Sequence, residues 1–348
     1  SRRIRTHMGL WKRKSKDTQP AQQPAPSSAL QIPQRQQHAP VDAVFTLPVA
    51  DHKDITLTVT ARAGAAPDRG EPPILIARAE WDGVLDGEDP FGVALSVTLF
   101  NAANAAPRLQ LYRDEAGHVR MALDTVLPGF LGFTEEQIAD WVPMAAGLGE
   151  HLAEIVEQTW PHAPRTAHPD AGTTAGAAGE LVEPSALAGR LIRVVGVQAP
   201  ADQVAPVTPE RIAGLLFGPG TEDRVQDDGD GSRRVGFHWN GYDIDVTIVH
   251  DLLLVDTGVY VGGLDRPELE SLVSAVAAHN DNVTGTAAAL VNLGSQEQPD
   301  WVVRALIHRP ASAMGDDQLE LTVMSGAAMV SKTVADLLGR PAPGSKSR

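Results

Sequence analysis

One succession of strands and helices occurs twice along the chain. Between residues 41 and 161 the hydrophobic periodicity predicts the order strand, strand, strand, helix, strand, strand, helix. Residues 205–339 repeat this order after one additional helix. Because a chain of 348 residues is long enough for two domains, the repeat predicts an α+β protein with two domains, each a twisted antiparallel sheet flanked by helices.

The helix that follows the first three strands of each predicted domain suggests how the two copies align. A helical pattern runs from Asp89 to Asn104, and a second one runs from Asp265 to Asn280. Both intervals are fifteen residues, so this alignment places Asn104 opposite Asn280. The match lies in hydrophobic period and capping residues, which a fold requires, and little of it lies in reactive side chains.

Helix caps support the predicted boundaries. Thr134 is expected to begin one long closing helix of the first domain, with Glu136 and Gln137 as capping-box candidates. In the same alignment Gln137 lies opposite Gln318. Thr208, followed by proline, is expected to begin the additional helix of the second domain.

The remaining segments have the composition of tails and linkers. Residues 1–40 are basic and then rich in Pro and Gln, which predicts disorder, and residues 1–7 resemble a vector remnant. Residues 162–204 are rich in Gly, Ala and Pro and are expected to form a linker, interrupted by a short apolar, β-like island at 190–197. The polar residues 340–348 are expected to be a disordered tail.

The charge distribution bears on which partners the protein can bind. The net charge is −15, but the first sixteen residues carry seven basic groups and no acidic group, which leaves 22 basic against 44 acidic groups in the remainder. A body this acidic repels phosphate backbones, so we expect no nucleic-acid partner. Leu10, Trp11 and the adjoining basic run predict either a weak contact with an anionic membrane or a solvated arm.

Other features bear on compartment and chemistry. The chain has no cysteine, which excludes disulfides and thiolate sites. No apolar run is long enough for a transmembrane helix, and no signal peptide is visible, so a cytoplasmic location is expected.

The sequence contains neither a phosphate-binding loop nor a nucleophile elbow. We therefore expect no enzymatic activity, no cofactor and no metal. One alternative is a small-molecule or metal sensor that uses His238, His250 and Asp243, which lie near one another in sequence on neighbouring predicted strands.

Both predicted domains have an Asn-rich helix end, "FNAAN" (100–104) and "HNDN" (279–282), and an acidic, Gln-containing helix start, "TEEQIADW" (134–141) and "GDDQLELT" (315–322). These motifs resemble those of the YbjN family of proposed bacterial sensory transduction regulators. The resemblance implies a tandem pair of domains similar to class I type III secretion chaperones, without established enzymatic activity. Tandem copies are known among actinobacterial members, whose Ala-, Val- and Asp-rich composition this chain shares.

The resemblance and the absence of a catalytic motif favour a chaperone-like or regulatory module that binds a protein or peptide, at a hydrophobic groove or an edge strand. Asn101, Asn104, Asn280 and Asn282 are interpreted as helix C-terminal caps in the left-handed conformation, with contact to a partner as the alternative. The two domains are expected to pack on each other as an intramolecular pseudo-dimer. Two independent bodies are the alternative.

Overall fold

The computed structural model describes residues 30–35, 41–63, 72–129, 131–166, 173–174, 177–197, 204–228, 232–249, 251–282, 285–295 and 297–339. Two six-stranded sheets flanked by helices make up the fold, which confirms the predicted α+β architecture. No helix in these ranges combines the length and the apolar character needed to cross a bilayer.

The first half of the molecule (residues 41–197) contains one sheet in the order β4-β5-β3-β2-β1-β8. Its elements are β1 Ala43–Leu47, β2 Ile55–Arg62, β3 Ile74–Trp81, α1 Pro90–Ala103, β4 Arg108–Arg113, β5 Val119–Pro128, α2 Glu135–Ala146, α3 Leu148–Thr159, the paired two-residue strands β6 Thr173–Thr174 and β7 Ala177–Ala178, β8 Glu180–Leu181 and α4 Pro184–Val195.

The second half (residues 204–339) contains the other sheet in the order β13-β14-β12-β11-β10-β9. Its elements are α5 Pro209–Phe217, β9 Val225–Asp227, β10 Arg233–Trp239, β11 Tyr242–Val249, β12 Leu252–Gly262, α6 Arg266–Asn282, β13 Ala287–Asn292, β14 Trp301–Pro310 and α7 Asp316–Leu337. Strands β1 to β5 and β10 to β14 thus follow the same order in space, and all their pairs are antiparallel.

The predicted caps and a two-residue turn explain where several elements begin. Thr134 accepts a hydrogen bond from the backbone N–H of Gln137, whose side chain accepts one from the Thr134 N–H, so α2 starts with a complete capping box. Thr208 caps α5 in the same way through the N–H of Arg211. Asn240 and Gly241 have φ of 51° and 84°, the conformation that a two-residue hairpin between β10 and β11 requires.

The single closing helix predicted for the first half is wrong, because the helix divides into α2 and α3 at Gly147. Pro143 lies inside α2 and has no N–H for the helical ladder, which weakens the helix just before the break. Gly149 then passes so close to Val49 that a Cβ would lie 2.6 Å from its side chain. The break lets both segments pack on the sheet.

The β-like island predicted at 190–197 is also wrong, because residues 184–195 form α4. Pro184 occupies the first helical turn, and Leu187 and Leu191 are fully buried one turn apart, against α2 and β2. The predicted linker therefore supplies the first half with both a strand, β8, and a helix. These elements correspond to β9 and α5 of the second half.

Residues 30–35 depart from the predicted disorder of 1–40. Ile32 is buried, and the backbone of Arg113 in β4 exchanges hydrogen bonds with Pro33 and Arg35 at 2.7 and 2.8 Å. Residues 1–29 and 340–348 lie outside the described residues, together with the contacts predicted for Leu10 and Trp11.

The two halves contact each other reciprocally. Helix α1 of the first half packs on β13 of the second, α6 of the second half packs on β4 of the first, and the two helices pack on each other. Gln137 and Gln318, each the third residue of its helix, meet in a hydrogen bond of 3.2 Å. The edges β4 and β13 therefore face the centre of the molecule, whereas β8 and β9 lie at its ends.

Candidate functional site

Two of the asparagines singled out in the sequence tie a helix to the following strand. The Asn101 side chain bonds both the N–H and the C=O of Leu109, at 2.7 and 2.9 Å, and Asn280 makes the same two bonds to Ala288 at 2.8 and 2.9 Å. Both asparagines are buried. Asn101 therefore corresponds to Asn280, and the alignment of Asn104 with Asn280 is wrong by three residues.

The left-handed cap predicted for these asparagines is also corrected. Asn104 does end α1, but its backbone is extended, with φ of −120°, and its side chain donates to the C=O of Phe100. Asn101 and Asn280 lie within their helices. The side chain of Asn282 lies outside the described residues, and a partner contact by any of the four stays a prediction.

The predicted sensor residues are only partly described. His238 Nδ1 lies 3.1 Å from Asp243 Oδ1, and both side chains are largely exposed. His250 lies outside the described residues. Where side chains are described, no group of three or more His, Cys, Asp or Glu residues could hold a metal. The sensor alternative stays a prediction.

A larger feature lies beside His238. A groove of about 760 Å³ runs between α5, the β10–β11 hairpin and α7. Its apolar lining comes from α5, α7 and the strands, and its polar lining mostly from the hairpin and β9. The lining residues are Leu215, Leu216, Phe217, Arg224, Gln226, Arg234, Gly236, Phe237, His238, Trp239, Asp243, Ile244, Asp245, Glu320 and Met324.

The groove follows a stretch of open strand edge. β9 pairs with β10 only up to Val235, and no described strand pairs with the outer side of residues 236–239. Trp239 and Tyr242 flank the two-residue turn, so Trp239 and Phe237 direct their backbone groups toward β11. The N–H and C=O groups of Gly236 and His238 consequently point outward along the groove.

The equivalent edge in the first half is occupied. The two asparagines bind equivalent positions on β4 and β13. When the strand pairing is followed from β4 to β1 in one sheet and from β13 to β10 in the other, Thr46 of β1 occupies the position of Gly236 of β10. The C=O of Thr46 accepts a hydrogen bond of 2.9 Å from the N–H of Val182, as β8 runs parallel to β1. Val182 is 4% exposed, whereas Leu181 is 71% exposed. Among the described strands, the same edge is thus filled in the first half and open in the second.

The polar side of the groove carries the carboxylates of Asp243 and Asp245 beside Arg224 and Arg234. Burial, and then the neighbouring carboxylate of Asp256, raise the pKa of Asp245 to about 6, although Arg234 lies 3.3 Å from it. Asp228 and Asp243 add to this effect. A carboxylate held this way favours any cation that approaches it.

Sequence reasoning proposed an edge strand in general terms but did not locate it. Two sequence features bear on its position. The two-residue turn determines which residues of β10 direct their backbone groups toward β11, and a Gly-rich stretch separates β9 from β10. Neither feature shows that β9 begins only at Val225, opposite Val235.

These features define an α+β protein that exposes one sheet edge beside a groove. No family model and no curated protein matches the chain. Among solved structures, the chain is similar to the crystal structure of YbjN from E. coli, a proposed transcription regulator, with a TM-score of 0.28 and 11% sequence identity. The alignment covers 39% of this chain and 92% of the YbjN chain. The tandem arrangement of YbjN domains stays a prediction.

Proposed function

We propose that the protein is a non-enzymatic interaction module that binds an extended segment of a partner protein, which it adds as a strand to the open edge of β10. One observation carries the proposal. The edge at Gly236 is open and borders a groove, whereas its counterpart at Thr46 is filled by residues 180–182 of the same chain. The internal segment is an intramolecular example of the predicted binding mode.

Strand addition offers two sources of affinity. The outward N–H and C=O groups of Gly236 and His238 supply backbone hydrogen bonds, each worth about 0.5–1.5 kcal/mol net. Phe217, which is 38% exposed, and the partly exposed Phe237 supply an apolar wall beside that edge. Burial of apolar surface there contributes about 25 cal/mol per Å².

The arrangement of the halves supports a division of roles. The first half uses its own edge internally and contributes α1 to the contact with α6 and β13. The second half keeps its edge facing outward at the end of the molecule. We propose that the halves form a tandem, YbjN-like pseudo-dimer in which the first supports the second, and that the protein acts in the cytoplasm in a regulatory or chaperone-like role.

The substitution His238→Pro is expected to weaken binding of extended peptides by at least about tenfold. It removes the outward N–H and places the proline ring on the edge. The hydrogen bonds between β10 and β11 are kept, because the N–H of residue 238 is not one of their donors. The probes are three fluorescent ten-residue peptides in which valine alternates with lysine, serine or glutamate, and fluorescence anisotropy measures their binding to the full chain.

His238→Ala is the matched control, because it removes the same side chain and keeps the N–H. We expect it to bind within about twofold of the unchanged protein. Equal losses in both variants would assign binding to the imidazole, and failure of all three peptides to bind the unchanged protein would refute the proposed function.

A further inference from the structure

The two faces of β10 differ in chemistry. Phe237 and Trp239 share a face of β10 with Val235. This face of the sheet continues across β11 to Val255 of β12, which lies beneath α7. Gly236 and His238 lie on the opposite face. An added strand would alternate between these two environments, because successive side chains of a strand point to opposite faces.

On the apolar face the edge meets aromatic and aliphatic side chains. Phe217, Phe237, Trp239 and Met324 line the groove there. The buried indole N–H of Trp239 has no hydrogen-bond partner among the described residues. Large apolar side chains at every second position of a bound segment would cover this wall.

On the other face acidic groups outnumber basic ones. Asp228, Asp243 and Asp245 lie around Arg234 in the described part of the hairpin region. Asp243 opposes His238 in the strand register and is 86% exposed. Arg234 and the His238 imidazole lie beside these carboxylates, and a cation on a bound segment would face Asp243 and Asp245 as well.

Gly236 gives access to these carboxylates. It pairs with Asp245, and a Cβ placed on Gly236 would lie only 3.3 Å from the Asp245 Oδ1. Because the glycine has no side chain, the Asp245 carboxylate can be approached across the edge. An added strand would lie about 4.7–4.9 Å outside β10, and Asp245 lies one strand further in, on β11. Because the Asp245 carboxylate extends to Gly236, a lysine or arginine on the added strand can still reach it.

We infer that the segment accepted by the β10 edge alternates large apolar residues with lysine or arginine, the apolar side chains packing on Phe217, Phe237 and Met324 and the basic ones facing Asp243 and Asp245. This inference rests on the proposed function and specifies the kind of partner: a basic, amphipathic strand. Acidic segments are disfavoured because they add negative charge beside Asp243 and Asp245, and purely polar segments gain no attraction from these carboxylates.

The same three valine-alternating peptides test the inference. The lysine peptide is expected to bind the full chain at least about tenfold more tightly than the glutamate peptide, and added salt should reduce this preference. In the double variant Asp243→Asn with Asp245→Asn the preference should fall to about twofold or less. The control Glu154→Gln with Glu157→Gln removes two charges from exposed positions of the first half and should preserve it.

The outcomes separate the two claims. Binding of the serine or glutamate peptide as tight as that of the lysine peptide would overturn the inference and leave strand addition standing. A lysine preference that persists in the Asp243→Asn, Asp245→Asn variant would also overturn it. Failure of every peptide to bind would refute the proposed function itself.

Discussion

Replacement of Arg108 by methionine is expected to lower the free energy of unfolding by about 3–5 kcal/mol, because it leaves a buried carboxylate without its counter-ion. Arg108 and Asp124 are both buried and form a bidentate pair at 3.0 and 2.7 Å. Arg108 also donates to the C=O of Thr286 at 2.9 Å, across the contact between the halves. Urea unfolding followed by circular dichroism measures the change.

The control for this experiment is Arg233→Met, which breaks an ion pair with Glu210 that is about half exposed. Exposed pairs contribute about 0–1 kcal/mol, so this variant should unfold close to the unchanged protein. If Arg108→Met shifted stability no more than Arg233→Met does, the contact between the halves would not depend on this pair.

Acidification from pH 6.5 to pH 4 is expected to destabilise the protein by roughly 3 kcal/mol or more through His279 and His308. Burial lowers the pKa of each imidazole to about 4. The unfolded chain therefore takes up protons from about pH 6.5 downward while the folded chain does not, so stability present above pH 6.5 is lost as the pH falls to 4. Asp245, with its pKa raised to about 6, partly offsets this loss.

The contribution of His308 to this acid sensitivity can be measured separately. His308 Nε2 lies 3.1 Å from the Thr125 hydroxyl across the contact between the halves, and Asp124 and Arg108 lie near it. His308→Gln keeps a polar group there without a titration. Denaturant unfolding at pH 7 and pH 4.5 should show a smaller pH dependence in this variant, and an unchanged pH dependence would rule out His308 as a source of acid sensitivity.

Hydrophobic period and caps predicted most of the fold, because these features act locally. The capping box at Thr134 and the cap at Thr208 lie where the sequence placed them. Helix α4 was missed because the Gly, Ala and Pro content around it outweighed the spacing of Leu187 and Leu191. Only tertiary contact with α2 and β2 shows why that short amphipathic stretch is helical.

The candidate site was less predictable, because an open edge is a property of pairing. Nothing local in residues 236–239 distinguishes them from a central strand. Asn101 and Asn280 show the same limit. Their equivalence follows from the strand residues that each binds, Leu109 and Ala288, whereas counting residues from the start of each helix aligns the wrong asparagines. Sequence pattern finds elements, whereas partners across the sheet decide the role of individual residues.

Amide hydrogen exchange at Gly236 and His238 tests strand addition most directly. Their N–H groups face outward in the free protein, whereas the N–H of Trp239 is directed toward β11 and serves as an internal reference. With the valine–lysine peptide at saturation, exchange at Gly236 and His238 should slow by at least about tenfold, with little change at Trp239. Saturation without slower exchange at these two amides would contradict the account.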